Sequence, residues 1–225
     1  MLFRSEKIYG EVRSQGKRIF PNWPVSAEIA GQNGRSGWDP WTVHDGGPTT
    51  GMVFAETFFR YLAFGKPDPL YELDRFDMDR DPAKLETIHQ ILDATDTDLT
   101  RFEKRGGKIL MYFGWADPAL NPLMGVEYYE AVQTRMGAGT MDFFRLFMVP
   151  GMFHCGDGPG PTVFDTAGPL SEWVEHGAAP DTLRAAKVTN GKVVRTRPLC
   201  VYPQVAKYNG TGSIDEAASF TCVKP

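Results

Sequence analysis

The stretch Lys108-Ile-Leu-Met-Tyr-Phe-Gly-Trp-Ala-Asp117-Pro118 is a short apolar run that ends in a glycine turn and a carboxylate. A second stretch, Phe143-Phe-Arg-Leu-Phe-Met-Val-Pro-Gly-Met-Phe-His154, has the same form and ends in a histidine. Nearly continuous apolar runs of this length predict strands of a parallel sheet that is covered on both faces. Each of the two titratable residues therefore follows a predicted strand, in the order Asp and then His.

The segments around these strands have helical patterns at 97–105, 121–136 and 170–176. Residues 97–177 thus alternate helix, strand, helix, strand, helix, which favours a doubly wound α/β core. A sheet of only two such strands is too small to be stable alone. We therefore expect the complete sheet to contain strands that this sequence lacks.

Length and composition exclude several classes of protein. At 225 residues and 42% hydrophobic residues, the chain can form one well-buried domain. The formal net charge of −4 predicts no nucleic-acid partner, since no basic face is available. No apolar run reaches the roughly 20 residues that span a bilayer, and the N-terminus lacks the apolar core of a signal peptide. We expect no membrane partner.

Residues 1–60 are rich in turns and hold three of the five tryptophans, Trp23, Trp38 and Trp41. Aromatic residues in a region of weak periodicity predict a cap or lid with a small aromatic core. Alternatively, the same side chains line a pocket. The segment 52–64 is predicted to form a buried helix that ends before a glycine.

The acidic stretch 68–81 allows two interpretations. The spacing of Asp77, Asp79 and Asp81 superficially resembles a calcium loop, but it lacks the glycine and the closing bidentate glutamate of an EF-hand. Pro82 at the first position of a predicted helix makes Asp81 an N-cap instead. We favour the cap and expect no metal site here.

Asp117 and His154 could form an acid–base pair, because catalytic groups collect at the carboxyl ends of strands in open α/β sheets. The aspartate would orient the imidazole and stabilise its cation. The alternative is that each residue is only a turn or loop residue. A nucleophile is hard to find: no Gly-x-Ser-x-Gly string follows an apolar strand, and Cys155 directly follows the histidine that would have to activate it. The adjacent His and Cys also lack the spacing of zinc ligands.

Cys200 and Cys222 bracket a turn-rich tail of low apolar content. A disulfide between them would stabilise such a tail, although two unpaired cysteines are an alternative. Cys155 is then left over, and a leftover cysteine suggests a partner elsewhere.

Several strings resemble the tannase/feruloyl esterase family of serine esterases, and the resemblance covers nearly the whole chain. The most specific combination is Gly-Trp-Ala-Asp-Pro with Gly-Met-Phe-His-Cys. The matching strings include Ile91-Leu-Asp-Ala-Thr-Asp-Thr-Asp-Leu, Gly107-Lys-Ile-Leu-Met-Tyr-Phe-Gly-Trp-Ala-Asp-Pro, Val149-Pro-Gly-Met-Phe-His-Cys, Leu170-Ser-Glu-Trp-Val and Arg197-Pro-Leu-Cys-Val-Tyr-Pro-Gln-Val-Ala.

The resemblance implies an α/β fold: a partial α/β-hydrolase core, made of its last strands and helices, preceded by a segment of the lid domain. Residues 1–66 would be the C-terminal part of the lid, and residues 67–225 the C-terminal part of the core with a disulfide-closed tail. It further implies that Asp117 is the triad acid and His154 the base. The family's nucleophile lies in a Cys-Ser-x-Gly-Gly elbow whose cysteine would pair with Cys155, and that elbow is absent from this sequence.

For the remaining residues, the resemblance implies a tail disulfide between Cys200 and Cys222. The implied substrates are esters of aromatic acids such as gallic or ferulic acid. Trp38, Trp41 and Phe58 are candidates for contact with the aromatic acid.

The resemblance implies a carboxylic ester hydrolase that is secreted or periplasmic and needs a missing N-terminal portion as its partner. It implies no cofactor, and the family's structural calcium would bind in the missing upstream part of the lid. Without the serine, we expect little or no triad chemistry from this chain by itself. The alternative function is a non-catalytic remnant or a binding subunit that associates with a partner chain.

Overall fold

The computed structural model describes residues 2–225. The helices are α1 (Leu2–Tyr9), α2 (Trp38–Trp41), α3 (Thr50–Tyr61), α4 (Glu86–Leu92), α5 (Thr100–Glu103), α6 (Pro122–Met136) and α7 (Ala167–His176). The strands are β1 (Val12–Ser14), β2 (Lys17–Phe20), β3 (Ile109–Gly114), β4 (Phe144–Val149), β5 (Thr182–Thr189), β6 (Lys192–Cys200), β7 (Val205–Tyr208) and β8 (Phe220–Val223). Short 3₁₀ turns cover Leu73–Arg75, Pro82–Leu85, Ala138–Asp142 and Ala217–Ser219.

The centre of the fold is a parallel pair of strands, β3 and β4, in register from Ile109 opposite Phe144 to Gly114 opposite Val149. α5, β3, α6, β4 and α7 follow one another in the order predicted for residues 97–177. This order confirms the α/β alternation, and the fold is consistent with an α/β-hydrolase-like core.

Strand β4 is buried on both faces, which explains its nearly unbroken apolar sequence. On one face, Phe144 and Leu146 pack against Tyr129 and Val132 of α6. On the other face, Phe147 and Val149 pack against side chains of the β5–β6 hairpin. The two hydrophobic clusters therefore meet at β4 and fix the strand that leads to His154.

The two edges of the β3–β4 pair differ. The outer edge of β4 is covered by the chain that follows β6, where Val201 bridges to Phe147 and the Tyr202 N–H donates to the Leu146 carbonyl (2.8 Å). In the described chain, β4 is the only strand partner of β3. Tyr112 on β3 is 42% exposed. The sheet is thus open on the side of β3.

The first sixty residues are attached to this core through polar contacts. Asn121 caps α6 by accepting from the Leu123 N–H, and Pro122 occupies the first helical position. The buried Asn121 side-chain amide also donates to the carbonyls of Pro21 and Asn22, at 3.1 Å each. Asn121 therefore both caps the start of α6 and holds the N-terminal segment against this helix.

The tail differs from a simple turn-rich loop. Strands β5 and β6 form an antiparallel hairpin, and β7 pairs with β8. Asn190 and Gly191 connect the first hairpin with positive φ angles of 51° and 73°. No hairpin was predicted here, although an Asn-Gly pair between two strand-like runs is a strong hairpin signal. The expected bond between Cys200 and Cys222 is present.

Replacing both Cys200 and Cys222 with serine should lower the free energy of unfolding by about 3 kcal/mol. The bond joins residues separated by 22 positions, so its loss restores conformational freedom mainly to the unfolded chain. Urea denaturation measures the change, and Cys155→Ser is the control because that cysteine is unpaired and exposed in the described structure. A double-serine variant that unfolds at the wild-type urea concentration would contradict this account of the tail.

Two local predictions need correction. The helix predicted at 52–64 is α3, but none of its residues is buried: Met52 and Phe54 line a cavity, and Phe59 stacks on Tyr71. Asp81 stands at the predicted N-cap position of the Pro82–Leu85 turn, yet its side chain makes no capping bond. Its buried carboxylate accepts instead from Arg80 and Lys84, which hold the pKa of Asp81 well below its usual range.

Candidate active site

Asp117 and His154 are in direct contact. The histidine Nδ1 lies 2.9 Å from Asp117 Oδ2, as in a hydrogen bond in which Nδ1–H donates to the carboxylate. The aspartate is 5% exposed, whereas about a third of the histidine side chain (33%) is accessible. In this tautomer, Nε2 is the ring nitrogen left to act as a base.

The Asp117 carboxylate is held at both oxygens. Its Oδ1 accepts from the backbone N–H groups of Ala119 (2.8 Å) and Leu120 (3.0 Å), while Oδ2 faces the imidazole. Pro118 directly follows the aspartate and favours the turn that brings these N–H groups back to it. The carboxylate is therefore fixed in orientation without help from a mobile side chain.

The two loops that carry the pair are joined through their backbones. The Trp115 N–H donates to the Val149 carbonyl (3.0 Å), and the Ala116 N–H donates to the Met152 carbonyl (3.1 Å). Gly114 at the end of β3 permits this approach, because a Cβ at that position would lie 2.3 Å from the Met152 oxygen. The Asp–His distance thus depends on a glycine three residues before the aspartate.

A cavity of about 680 Å³ adjoins His154. Its walls are largely aromatic, and Trp41 is central to them. The Trp41 ring meets the imidazole edge-on at 5.6 Å and stacks on Phe54 at 6.0 Å. Lys7 is the one permanently charged side chain among the described residues that line the cavity. The aromatic residues of the lining are Tyr9, Trp23, Trp38, Trp41 and Phe54.

The three candidates for aromatic contact are not all in this cavity. Trp38 and Trp41 line it, but Phe58 is absent from its lining and packs edge-on against Phe59 (5.5 Å). Phe54, one turn earlier on α3, lines the cavity in its place. The two phenylalanines are four residues apart and share a helix face, so the sequence pattern could not distinguish them.

The other three histidines of the chain also contact carboxylates, but their contacts differ from that of His154 in burial and in position. His44, His89 and His176 pair with carboxylates close to them in sequence, and all six side chains are at least 36% exposed. In contrast, Asp117 is buried and comes from a different strand. Burial and strand-end position, rather than the contact itself, set this pair apart.

Within the part of the chain that the structure describes, no nucleophile contacts His154, whose one hydrogen-bond partner is Asp117. Ser26 and Ser36 donate to backbone carbonyls of Trp115 and Ala27. Cys155 is exposed and has a positive φ of 59°, and its thiol has no disulfide partner among residues 2–225. The same residues contain no cluster of three or more His, Cys, Asp or Glu that could hold a metal ion. None of the helices described above combines the length and apolarity of a membrane span.

Comparisons with known proteins agree on one family. A family model described as "Tannase and feruloyl esterase" matches residues 3–223. The mono(2-hydroxyethyl) terephthalate hydrolase of Piscinibacter sakaiensis is 36% identical over 241 residues, which include 96% of this chain and 40% of that protein. A probable feruloyl esterase of Arthroderma benhamiae is 32% identical over 98% of this chain and 42% of its own length.

Solved structures agree with this chain in fold. The crystal structure of feruloyl esterase B from Aspergillus oryzae superposes with a TM-score of 0.84 at 24% identity, over 99% of this chain and 45% of that chain. An esterase from the same organism gives a TM-score of 0.80 at 26% identity, over 98% and 45% of the two chains. The chain thus spans about two fifths of the length of these curated relatives and somewhat under half of the solved chains.

Proposed function

Because the chain belongs to the tannase and feruloyl esterase family of carboxylic ester hydrolases, we propose that it contributes the acid and the base of a serine esterase. The observation that carries the proposal is the hydrogen bond between the buried Asp117 and the partly exposed His154, beside an aromatic cavity. In this proposal the nucleophilic serine comes from outside these 225 residues.

The chemistry follows from the tautomer of His154. Nε2 takes the proton of the serine hydroxyl as its oxygen attacks the ester carbonyl, and Asp117 stabilises the imidazolium. The imidazolium then returns the proton to the departing alcohol, leaving an acyl-serine. A water molecule, deprotonated by the same nitrogen, releases the acid and restores the serine.

The open edge of β3 is the surface on which the serine-bearing segment would dock. Parallel strands bring their carboxyl ends to one edge of a sheet, so a strand that runs alongside β3 in the same direction would deliver its following residue near Asp117 and His154. The other side of the pair is already occupied by Val201 and Tyr202. Cys155, exposed next to the histidine, would form the disulfide to this segment.

The substrate class proposed is an ester of an aromatic acid, such as a gallate or ferulate. Supporting this, Trp38, Trp41 and Phe54 offer flat apolar walls next to the base, and aromatic rings stack on such walls. We place the assembled enzyme outside the cytoplasm, where a disulfide such as Cys200–Cys222 persists.

Co-expression tests the proposal. The chain is produced alone and together with the part of the Piscinibacter relative that it does not match, and hydrolysis of a p-nitrophenyl ester is measured. We expect no turnover that depends on His154 from the chain alone, and turnover that His154→Ala abolishes from the pair. If the chain alone hydrolyses the ester at a rate that His154→Ala leaves unchanged, the proposal is wrong. Tight association of the two parts without hydrolysis would instead support the binding-subunit alternative.

Trp41→Ala should raise KM for a feruloyl ester about tenfold, which corresponds to about 1.4 kcal/mol of lost aromatic contact. The physical reason is that the variant removes the ring that joins Phe54 to the imidazole. The measurement is steady-state kinetics of the assembled enzyme on feruloyl and acetyl esters. Trp41→Phe, which keeps an aromatic face, should retain most of the affinity. An equal rise in KM for the acetyl ester would contradict a role in binding the aromatic acid.

A further inference from the structure

We propose that Asp157 is a positioning residue that fixes the tryptophan-bearing loop, residues 31–41, against the loop that carries His154. The inference rests on the proposed function, since it concerns how the base and the aromatic wall are held at one distance. Asp157 lies three residues after the histidine, outside the cavity lining, and no step of the reaction uses it.

The Asp157 carboxylate joins two segments that are far apart in sequence. Its Oδ1 accepts from the backbone N–H of Gln32 at 2.8 Å, across 125 positions. The same oxygen accepts from the Gly158 N–H at 2.6 Å, and the Asp157 carbonyl accepts from the Phe153 N–H at 3.3 Å. Bonds from a charged acceptor to backbone N–H groups are among the stronger hydrogen bonds in proteins.

Packing around Phe153 also holds the tryptophan-bearing loop against the loop that carries His154. Phe153 is 8% exposed, and its ring lies beneath two glycines of the tryptophan-bearing loop. A Cβ at Gly31 would lie 2.7 Å from the ring and 2.9 Å from Asp157 Oδ1, and a Cβ at Gly37 would lie 2.8 Å from the ring. The loop therefore rests directly on the residues on either side of His154 and Cys155.

The backbone at Asp157 gives an independent indication. Its φ is 56°, a left-handed conformation that glycine adopts at much lower cost than a residue with a side chain. Gly156 and Gly158, the residues beside it, also have positive φ angles. A side chain at the middle position of such a turn is maintained against its conformational cost, which is consistent with a specific function of its carboxylate.

Trp41 links the contact between these two loops to the proposed catalytic base. The tryptophan-bearing loop ends in α2, and the Trp38 N–H donates to the Ala27 carbonyl, anchoring the start of that helix. At the end of α2, the Trp41 ring meets the His154 imidazole at 5.6 Å. Since both rings extend from segments that Asp157 holds together, their separation depends on this carboxylate.

The test compares Asp157→Gly, which removes the carboxylate and relieves the backbone, with Asp157→Asn, which keeps an oxygen acceptor at Oδ1. Two NMR measurements need no substrate. The first is the hydrogen-exchange rate of the Gln32 backbone N–H. The second is the chemical shift of the His154 ring proton, which depends on the position of the neighbouring Trp41 ring. Asp165→Gly is the matched control, because that exposed carboxylate also accepts from backbone N–H groups, at the start of α7.

We expect Asp157→Gly to speed exchange at Gln32 and to move the His154 resonance, and Asp157→Asn to restore most of both. Asp165→Gly should change neither. In the assembled enzyme, Asp157→Gly should lower kcat by up to about 100-fold, as a small displacement of the base does. A wild-type Gln32 exchange rate and His154 shift in Asp157→Gly would overturn the proposal, as would an asparagine variant that behaves like the glycine variant. If the NMR changes occur but the assembled wild type hydrolyses no ester, the positioning role stands and the proposed function fails.

Discussion

Replacing Asp117 with asparagine should lower kcat of the assembled esterase by about 10⁴-fold. An amide cannot stabilise the imidazolium as a carboxylate does, and its NH₂ group favours the tautomer in which Nδ1 is the acceptor. The contacts that Oδ1 makes with the Ala119 and Leu120 N–H groups are kept, so the variant should fold normally. Stopped-flow hydrolysis of a p-nitrophenyl ester across pH separates this loss from a change in substrate binding.

The matched control is Asp93→Asn, which alters an aspartate that contacts His89 on α4 in the same way but on an exposed surface. This variant should keep wild-type kcat. A tenfold loss or less in Asp117→Asn, or a comparable loss in both variants, would remove Asp117 from the proposed triad.

Gly114→Ala should be strongly damaging although this residue contacts neither substrate nor imidazole. The new Cβ would lie 2.3 Å from the Met152 carbonyl oxygen, so the end of β3 and the histidine loop must separate. We expect a loss of about 1–3 kcal/mol in the free energy of unfolding, typical of an overpacked site. A displacement of about 1 Å between Asp117 and His154 would add a fall of about 100-fold in kcat.

Urea denaturation and kinetics of the same variant measure both effects. Gly139→Ala is the control, because a Cβ at that position meets its nearest atom, Asp142 Oδ2, at 3.9 Å. Wild-type stability and activity in Gly114→Ala would show that the two loops tolerate separation, contrary to the geometry described here.

The Asp–His pair was predictable because it depends on few assumptions. Two apolar runs predicted parallel strands, and parallel strands bring their following residues to one edge of the sheet. That reasoning placed Asp117 near His154 without any knowledge of the loops between them. The helix at 121–136 was predictable for a similar reason, since asparagine and proline mark its start. Of the helix predicted at 97–105, only Thr100–Glu103 is helical in the structure.

The remaining features depend on contacts that no local pattern encodes. Whether Phe54 or Phe58 lines the cavity is decided by where α3 lies, and both residues suit a helix equally. The role proposed for Asp157 depends on the Gln32 N–H group, 125 positions away in the sequence. The β5–β6 hairpin is different, because its Asn190-Gly191 turn is a local signal that is present in the sequence.

The uncovered edge of β3 has a consequence for how this polypeptide behaves at high concentration. Its six residues present backbone donors and acceptors that any extended peptide can satisfy, including the same edge of a second molecule. A net charge of −4 over 225 residues gives only weak mutual repulsion. In the proposed assembly, aggregation would therefore compete with docking of the missing segment, and the yield of intact protein would depend on how soon after synthesis this edge is covered.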